Sequence, residues 1–258
     1  MFTQFVPQFN RGRILKSEML ENLRDFPRNF VDIYYNEHSN GVISGAHVHV
    51  GEGVLTVRKG IVKHADRIYM LEQDVEIPYP SVGKEILLKV RFQQEVEEKD
   101  FTSYRTEMVL DDNILIQPDE LELARFKLKE GARLRSDYQS FVDMATEYNT
   151  LNIIHVEYAA THKSTIHPLV LRNFAAEMLK RASKHPYDIV FAMLCLNEGV
   201  LEREVILQYI SNRLGLGYKE YTNVQVHKHL GKILDDVGGS GNSRSDSRHS
   251  GMKRMIVD

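Results

Sequence analysis

Two histidines, His47 and His49, are the residues whose spacing comes nearest to a metal site. They lie two apart on a predicted strand, so both side chains point to one face and could hold a metal ion together. No cysteine lies nearby, and no third ligand stands at a recognisable spacing. We therefore predict that they hold no metal.

A second histidine pair, His162 and His167, flanks Ser164 and Thr165 just before Pro168. A nucleophilic site could be built from these residue types, but a linker with a capping Ser or Thr before a helix explains them more simply. We therefore predict a helix start at this point and no catalytic site.

The third pair, His227 and His229, falls on a predicted helix, where side chains two apart diverge by roughly 200 degrees. They cannot share a metal, and we expect both at the surface. The one cysteine, Cys195, lies in the very apolar run FAMLCLN and is expected to pack rather than react. A single cysteine also excludes an internal disulfide and favours a reducing, cytosolic environment.

The motifs of the common enzyme classes do not occur in the sequence. It contains no G-x-x-x-x-G-K-[ST] phosphate loop, no G-x-S-x-G elbow and no H-E-x-x-H pair. We therefore predict a protein without catalytic residues, metal or cofactor.

Composition narrows the classes of partner. The 258 residues include 33 Lys and Arg against 36 Asp and Glu, which gives a net charge of −3, while 42% of residues are hydrophobic. The chain can fill a core, but it has no overall basic field for nucleic acid or an anionic membrane. No run approaches the roughly 18 apolar residues of a membrane span, and we expect no targeting segment.

The N-terminal part, residues 1–27, is predicted to be an arm followed by a short helix. Phe2, Phe5 and Phe9 are anchors on a segment that Pro7 and Gly12 interrupt. Further on, the sequence predicts a helix over 18–24, capped by a serine at 17 and stopped by a proline at 27.

Residues 28–131 are predicted to form a β-rich adaptor module, a small sandwich or barrel. Glycines divide short runs rich in Val and Ile, and GEG separates two alternating runs in AHVHVGEGVLTV, which is typical of a hairpin. EILLKVRF and SYRTEMVL predict further strands, and we favour a strand over a helix for 119–130. The acidic run QQEVEEKD is interpreted as a solvated hairpin loop.

Residues 132–165 are predicted to connect this module to a helical module over 166–237. In the connecting segment, Tyr138, Phe141, Met144 and Tyr148 have helical spacing, and NIIHVEYA has β character. Four helices are expected after it, over 168–183, 186–199, 202–214 and 222–235.

Within this bundle, the second helix is apolar all round and is expected to be its buried centre. Val205 and Val224 are expected inward, and Gly215 is expected to cap the third helix. The sequence thus predicts an α+β fold, with a small β sandwich or barrel followed by a C-terminal helical bundle and a flexible tail.

Residues 238–258 are predicted to be this flexible tail, basic and with an apolar end. GGSGNSRSDSRHS has almost nothing to bury, while MKRMIVD resumes an apolar, β-prone character. Such an arm could dock on a neighbouring protein.

The stretch from Asn29 to Leu71 contains GVISG, an alternating strand, GEGVLTVRKGIV and RIYML, in that order. It resembles the β module of phage tail and baseplate proteins, including those of contractile phage-tail-like particles. In such modules the turn before the Tyr-containing strand often carries Asn-Gly or Asp-Gly, whereas this sequence has Ala65-Asp66. The resemblance implies a folded adaptor whose partners are other tail or baseplate proteins and a tail fibre. It carries over no catalytic residue.

The leading hypothesis is therefore a structural component of a phage or phage-like contractile tail, at the baseplate or at the attachment of a tail fibre. It would be made in the bacterial cytoplasm, assembled into a virion or tail-like particle, and would join neighbouring subunits without catalysis. The candidate protein-binding residues are Phe2, Phe5, Phe9, Met255, Ile256 and Val257.

Two other hypotheses stay open. One is a phage-associated nucleic-acid-binding or regulatory protein, with a recognition helix after Pro168 and the basic tail on phosphates, although the charge balance disfavours it. The other is an enzyme of unmarked type that acts through His47, His49 or the 162–167 region.

Overall fold

A computed structural model describes residues 1–239 of the protein. Most strands lie between residues 41 and 127 and four of the five described α-helices follow residue 167, so the predicted α+β class is confirmed. Thirteen strands lie in the described part: β1 Gly41–Gly45, β2 Val48–Val50, β3 Val54–Val57, β4 Gly60–His64, β5 Arg67–Leu71, β6 Val75–Pro78, β7 Glu85–Phe92, β8 Val96–Glu97, β9 Thr102–Ser103, β10 Thr106–Asp111, β11 Glu120–Lys127, β12 Glu157–Tyr158 and β13 Thr165–Ile166.

Five α-helices accompany them in the described range: α1 Ser17–Tyr34, α2 Pro168–Lys180, α3 Pro186–Asn197, α4 Arg203–Leu214 and α5 Asn223–Gly239. A single 3₁₀ turn, Val142–Ala145, lies in the connecting segment. None of these helices is long and apolar enough to cross a membrane.

The strands form small sheets rather than one large sheet. The largest has the order β13-β12-β1-β4-β5. In this sheet β1 and β12 are parallel, and every other pair of neighbouring strands is antiparallel. Two antiparallel sheets of three strands have the orders β10-β7-β11 and β2-β3-β6, and β8 pairs with β9. Strands β12 and β13, from the last part of the connecting segment and its end, thus complete the sheet that the N-terminal strands begin.

The predicted hairpin at the GEG sequence is confirmed. Val48 pairs with Val57 and Val50 with Leu55, and the Gly51 N–H donates to the Val54 carbonyl at 2.8 Å. Gly53 has a φ of +73°, a conformation that costs glycine nothing because it has no Cβ. The predicted strand over 119–130 is also confirmed, as β11.

The turn at Ala65-Asp66 is tight although it contains no glycine. Both residues have positive φ, 45° and 62°, and His64 pairs directly with Arg67 across them. This strained backbone is supported from outside, because the Asn40 side-chain oxygen accepts the Ala65 N–H at 3.1 Å.

Where β4 begins, at Gly60, its backbone lies too close to the end of β1 for a side chain to fit between them. A Cβ added to Gly60 would lie 2.2 Å from the backbone nitrogen of Ala46. This contact holds the corner between β1 and β2, where the chain passes from one sheet to the next.

Local sequence signals set the helix boundaries in the C-terminal part. Pro168 and Pro186 each occupy the first turn of a helix, where the missing N–H costs nothing. Gly215 ends α4 in the left-handed conformation, with a φ of +63°, as predicted. The prediction that Val205 and Val224 point inward is wrong, because both are exposed.

The connecting segment is less regular than its sequence pattern suggested. Its helical spacing yields only the 3₁₀ turn, although Phe141 and Met144 are fully buried, and NIIHVEYA contributes only the two residues of β12. The Phe141 ring packs edge-on against Phe174 at 5.8 Å, and Phe174 in turn against Phe191 at 5.7 Å. The segment therefore supplies core side chains, and one cluster of buried apolar residues extends from the sheets into the helices.

Candidate functional site

Helix α1 is amphipathic along its whole length, yet none of its 18 residues is buried. At 100 degrees per residue, every apolar side chain falls on one half of the helix and every charged side chain on the other. The exposed apolar half comprises Leu20, Leu23, Phe26, Phe30, Ile33 and Tyr34. An amphipathic helix gains most of its stability by burying such a face, so α1 has the form of a helix that docks on another protein.

Two predictions about this helix are wrong. Pro27 does not stop it, and Ser17 does not cap it, since the residue before the helix is Lys16 and no side chain caps it. A proline costs a helix one backbone hydrogen bond, and on an exposed helix water can solvate the carbonyl that is freed. The helix therefore continues for seven residues past Pro27 to Tyr34.

The chain after α1 is anchored to the sheet by one buried lysine. The Lys63 ammonium donates to the backbone carbonyls of Tyr35 at 2.7 Å, Asn36 at 3.2 Å and His38 at 2.6 Å. All three protons of the ammonium are thus paired, and the cation lies close to the carboxyl end of the helix, where it is electrostatically favoured. Lys63 is therefore placed to hold the chain at the C-terminal end of α1.

The arm that precedes α1 has no helix or strand up to residue 16. Phe2, Phe5 and Phe9 are all exposed. Arm and helix together expose many aromatic and other apolar side chains. Proteins rarely leave large contiguous apolar patches in water without a partner, so this surface is a candidate binding surface. The other predicted binding residues, Met255, Ile256 and Val257, lie outside the described residues.

A second exposed apolar surface is on α3. Its all-round apolar sequence predicted the buried centre of the helical part, and this prediction is wrong. Only Asp188, Phe191, Ala192 and Cys195 are buried. The opposite side exposes apolar residues at helical spacing: Tyr187, Val190, Met193 and Leu196.

The histidines predicted to be inert occupy varied places. His47 and His49 lie beside and within β2, and neither is buried. Within residues 1–239, no three His, Cys, Asp or Glu side chains are placed to hold a metal ion. His162 is exposed, whereas His167 is buried and caps α2 itself, with its Nδ1 accepting the Leu169 N–H at 3.0 Å. The capping residue is thus the histidine and not the predicted Ser or Thr.

The expectation that His227 lies at the surface is also wrong. It is buried, its ring stacks on Phe141 at 4.2 Å, and its Nε2 lies 3.0 Å from the Phe141 carbonyl. Burial lowers the pKa of His227. Cys195 is buried as predicted, and burial raises the pKa of its thiol to about 12, so it packs as an unreactive apolar group.

Comparison with known proteins finds no family model that matches the chain, and no curated protein matches it. Two solved structures show a weak likeness. The crystal structure of TssK matches 92% of this chain and 69% of its own, with 11% identity and a TM-score of 0.40. A cryo-electron microscopy structure of the type VI secretion system TssK-TssF-TssG baseplate subcomplex contains a chain matched over 100% of its length and 91% of this one, with 9% identity and a TM-score of 0.39. At such TM-scores we draw no functional conclusion from these likenesses.

Proposed function

We propose that this protein is a structural subunit of a phage-type contractile tail, at its baseplate, which joins neighbouring subunits through α1 and catalyses nothing. The observation that carries the proposal is α1 itself, with an apolar half that nothing in the described part of the chain covers. The resemblance of residues 29–71 to the β module of tail and baseplate proteins supports the choice of assembly.

The mode of binding follows from the helix. Its apolar half would lie in an apolar groove of a neighbouring subunit, with the charged half facing water. Each large apolar side chain that becomes fully buried contributes about 1.5–3 kcal/mol. Three such side chains therefore contribute about 4.5–9 kcal/mol, which is comparable to the cost of association, so attachment of the helix also needs further contacts.

A fixed base strengthens this attachment. Because Lys63 ties the chain after α1 to strand β4, the helix is partly oriented before it binds, and less orientational freedom is lost on docking. The exposed Phe2, Phe5 and Phe9 of the arm, which precedes α1 in the sequence, would supply further contacts to the same neighbour. Linked weak contacts of this kind reinforce one another.

The test compares two double variants of α1. Leu23→Ser with Phe30→Ser removes apolar surface, and Glu21→Ser with Arg28→Ser makes the same number of changes on the charged half. Since all four residues are exposed, each substitution should change the free energy of unfolding by about 0.5 kcal/mol or less. Thermal denaturation of the purified variants checks that point.

Assembly is then measured in the producing host. Tail particles are purified, and their subunits are identified by mass spectrometry and electron microscopy. We expect the apolar double variant to be lost from the particles and the charged double variant to be retained. Equal incorporation of both variants would refute the proposed role of α1, and a protein absent from all tail particles would refute the proposed assembly.

A further inference from the structure

A cavity of about 610 Å³ lies where β1 and β2 meet the beginning of α2. Its volume is typical of sites that bind small ligands. The walls are mostly apolar, with Val42, Leu123, Val156 and Val200 among them. Polar groups converge on the same space, and no Asp or Glu is among the described residues that line it.

One of these polar groups, His167, has a defined proton position. Its Nδ1 accepts the Leu169 N–H at 3.0 Å, so this nitrogen cannot carry a proton. Burial lowers the pKa of His167 to about 3, which keeps the ring neutral. The single ring proton is therefore on Nε2, which lies 3.3 Å from the Tyr158 hydroxyl oxygen and donates to it.

This arrangement leaves the Tyr158 hydroxyl hydrogen without an acceptor among the described residues. The Tyr158 oxygen accepts from His167, and it has no second partner in residues 1–239. The side chain is only 4% exposed, and burial raises its pKa, so the hydroxyl keeps its proton at neutral pH. A buried donor that lines a cavity calls for an acceptor from outside the chain.

The charges around the cavity favour a negative acceptor. Arg172 on α2 lines it, and the cavity lies at the N-terminal end of α2, where the helix dipole is positive. Pro168 has no N–H and the Leu169 N–H is donated to His167, so Arg172 is the main positive group. His47 lines it as well, with its ring 5.9 Å from that of His167, and burial, His49 and Arg172 together lower the pKa of His47. A cation unopposed by acids attracts anions into a cleft with apolar walls.

We propose that this cavity binds a carboxylate joined to an apolar group. The carboxylate accepts the Tyr158 hydroxyl hydrogen and pairs with Arg172, while the apolar group packs on the valine and leucine walls. Two sources share this chemistry: a free aliphatic acid, or an acidic residue between apolar residues in a peptide segment of a neighbouring subunit. The inference does not depend on the docking of α1.

Isothermal titration calorimetry on the full chain tests this with hexanoate as the probe, and with hexanol and hexylamine as neutral and cationic controls of the same length. We expect hexanoate to bind, hexanol to bind about tenfold more weakly, and hexylamine not to bind. The peptides acetyl-Leu-Asp-Leu-amide and acetyl-Leu-Asn-Leu-amide form the second arm. Hexanoate binding alone identifies a free acid, and an Asp peptide that competes with hexanoate identifies a peptide segment.

Variants place the binding in this cavity. Arg172→Gln and Tyr158→Phe should each weaken hexanoate binding about tenfold, whereas Lys180→Gln, an exposed residue at the far end of the same helix, should not change it. Arg172 is exposed, so its variant should fold normally even if the tyrosine variant does not. The inference is overturned if neither hexanoate nor the Asp peptide binds. It is also overturned if hexanoate and hexanol bind with equal affinity and Arg172→Gln changes neither affinity.

Discussion

Lys89 is fully buried at the centre of strand β7, with 0% of its side chain exposed. Its ammonium donates to Asp111 at 3.2 Å, to the Leu115 carbonyl at 3.1 Å and to Glu120 at 3.1 Å. All three of its protons are therefore paired, which is the condition under which a buried charge is tolerated. The substitution Lys89→Met keeps an unbranched side chain that is one atom shorter, and it removes the ammonium with its charge and its three donated hydrogen bonds.

The expected cost can be worked out from the partners that stay behind. Breaking a buried ion pair from one side costs about 3–5 kcal/mol, because the other charge is left uncompensated. Glu120, with 3% of its side chain exposed, would keep Arg91 at 2.9 Å and the Gln117 N–H at 3.1 Å. We therefore expect Lys89→Met to lower the free energy of unfolding by about 3 kcal/mol, at the low end of that range.

The effect should depend on pH in a defined direction. Burial acts to raise the pKa of Glu120, but the Gln117 N–H and the Arg91 and Lys89 side chains outweigh it, so the pKa is lowered. A carboxylate with a lowered pKa stabilises the fold above its unfolded pKa, and this contribution is lost as the pH falls through the folded pKa. The difference in the free energy of unfolding between wild type and Lys89→Met should therefore be largest near neutral pH and should decrease below about pH 4.

Urea denaturation followed by circular dichroism measures these quantities, with Lys89→Met, Glu120→Gln and the double variant in parallel. The two residues are coupled, so the double variant should cost clearly less than the sum of the single variants. A loss below about 1 kcal/mol for Lys89→Met would show that this network contributes little to stability, and strictly additive losses would show that Lys89 and Glu120 are not coupled.

Two further predictions concern the helices. Asp188 is fully buried and accepts hydrogen bonds from Ser183 at 2.7 Å, Tyr209 at 2.9 Å and Arg213 at 2.9 Å. Asp188→Ala should therefore lower the free energy of unfolding, measured by urea denaturation, by about 3–5 kcal/mol. Ser183→Ala should lower it by only about 1 kcal/mol. Equal effects of the two variants would contradict a charge-based role. Because burial raises the pKa of the Cys195 thiol to about 12, a disulfide reagent near pH 8 should label the folded protein slowly and the urea-unfolded protein at once; rapid labelling of the folded protein would show that the cysteine is accessible.

Local patterns in the sequence predicted many of the elements correctly. Short runs rich in Val and Ile, divided by glycines, identified strands in the N-terminal half, and GEG identified the hairpin between β2 and β3. Pro168 and Pro186 marked helix starts, and Gly215 marked a helix end, because the backbone preferences of these residues do not depend on distant parts of the chain.

The candidate sites were less predictable, because they depend on what packs where. Apolarity all round α3 suggested burial, yet the fold covers only one side of that helix. His227 was expected at the surface, but it stacks on Phe141, which is 86 residues away in sequence. No signal within the helix could have announced this contact.

For the N-terminal region, the sequence alone identified the aromatic arm and the first apolar turns of α1, since both are local patterns of residue type. The tertiary structure determined the rest. It showed that the helix runs past Pro27 to Tyr34, that Lys63 anchors the chain beyond it, and that its apolar half is uncovered. Exposure is a property of the whole fold, because a side chain is buried only if some other part of the chain packs against it.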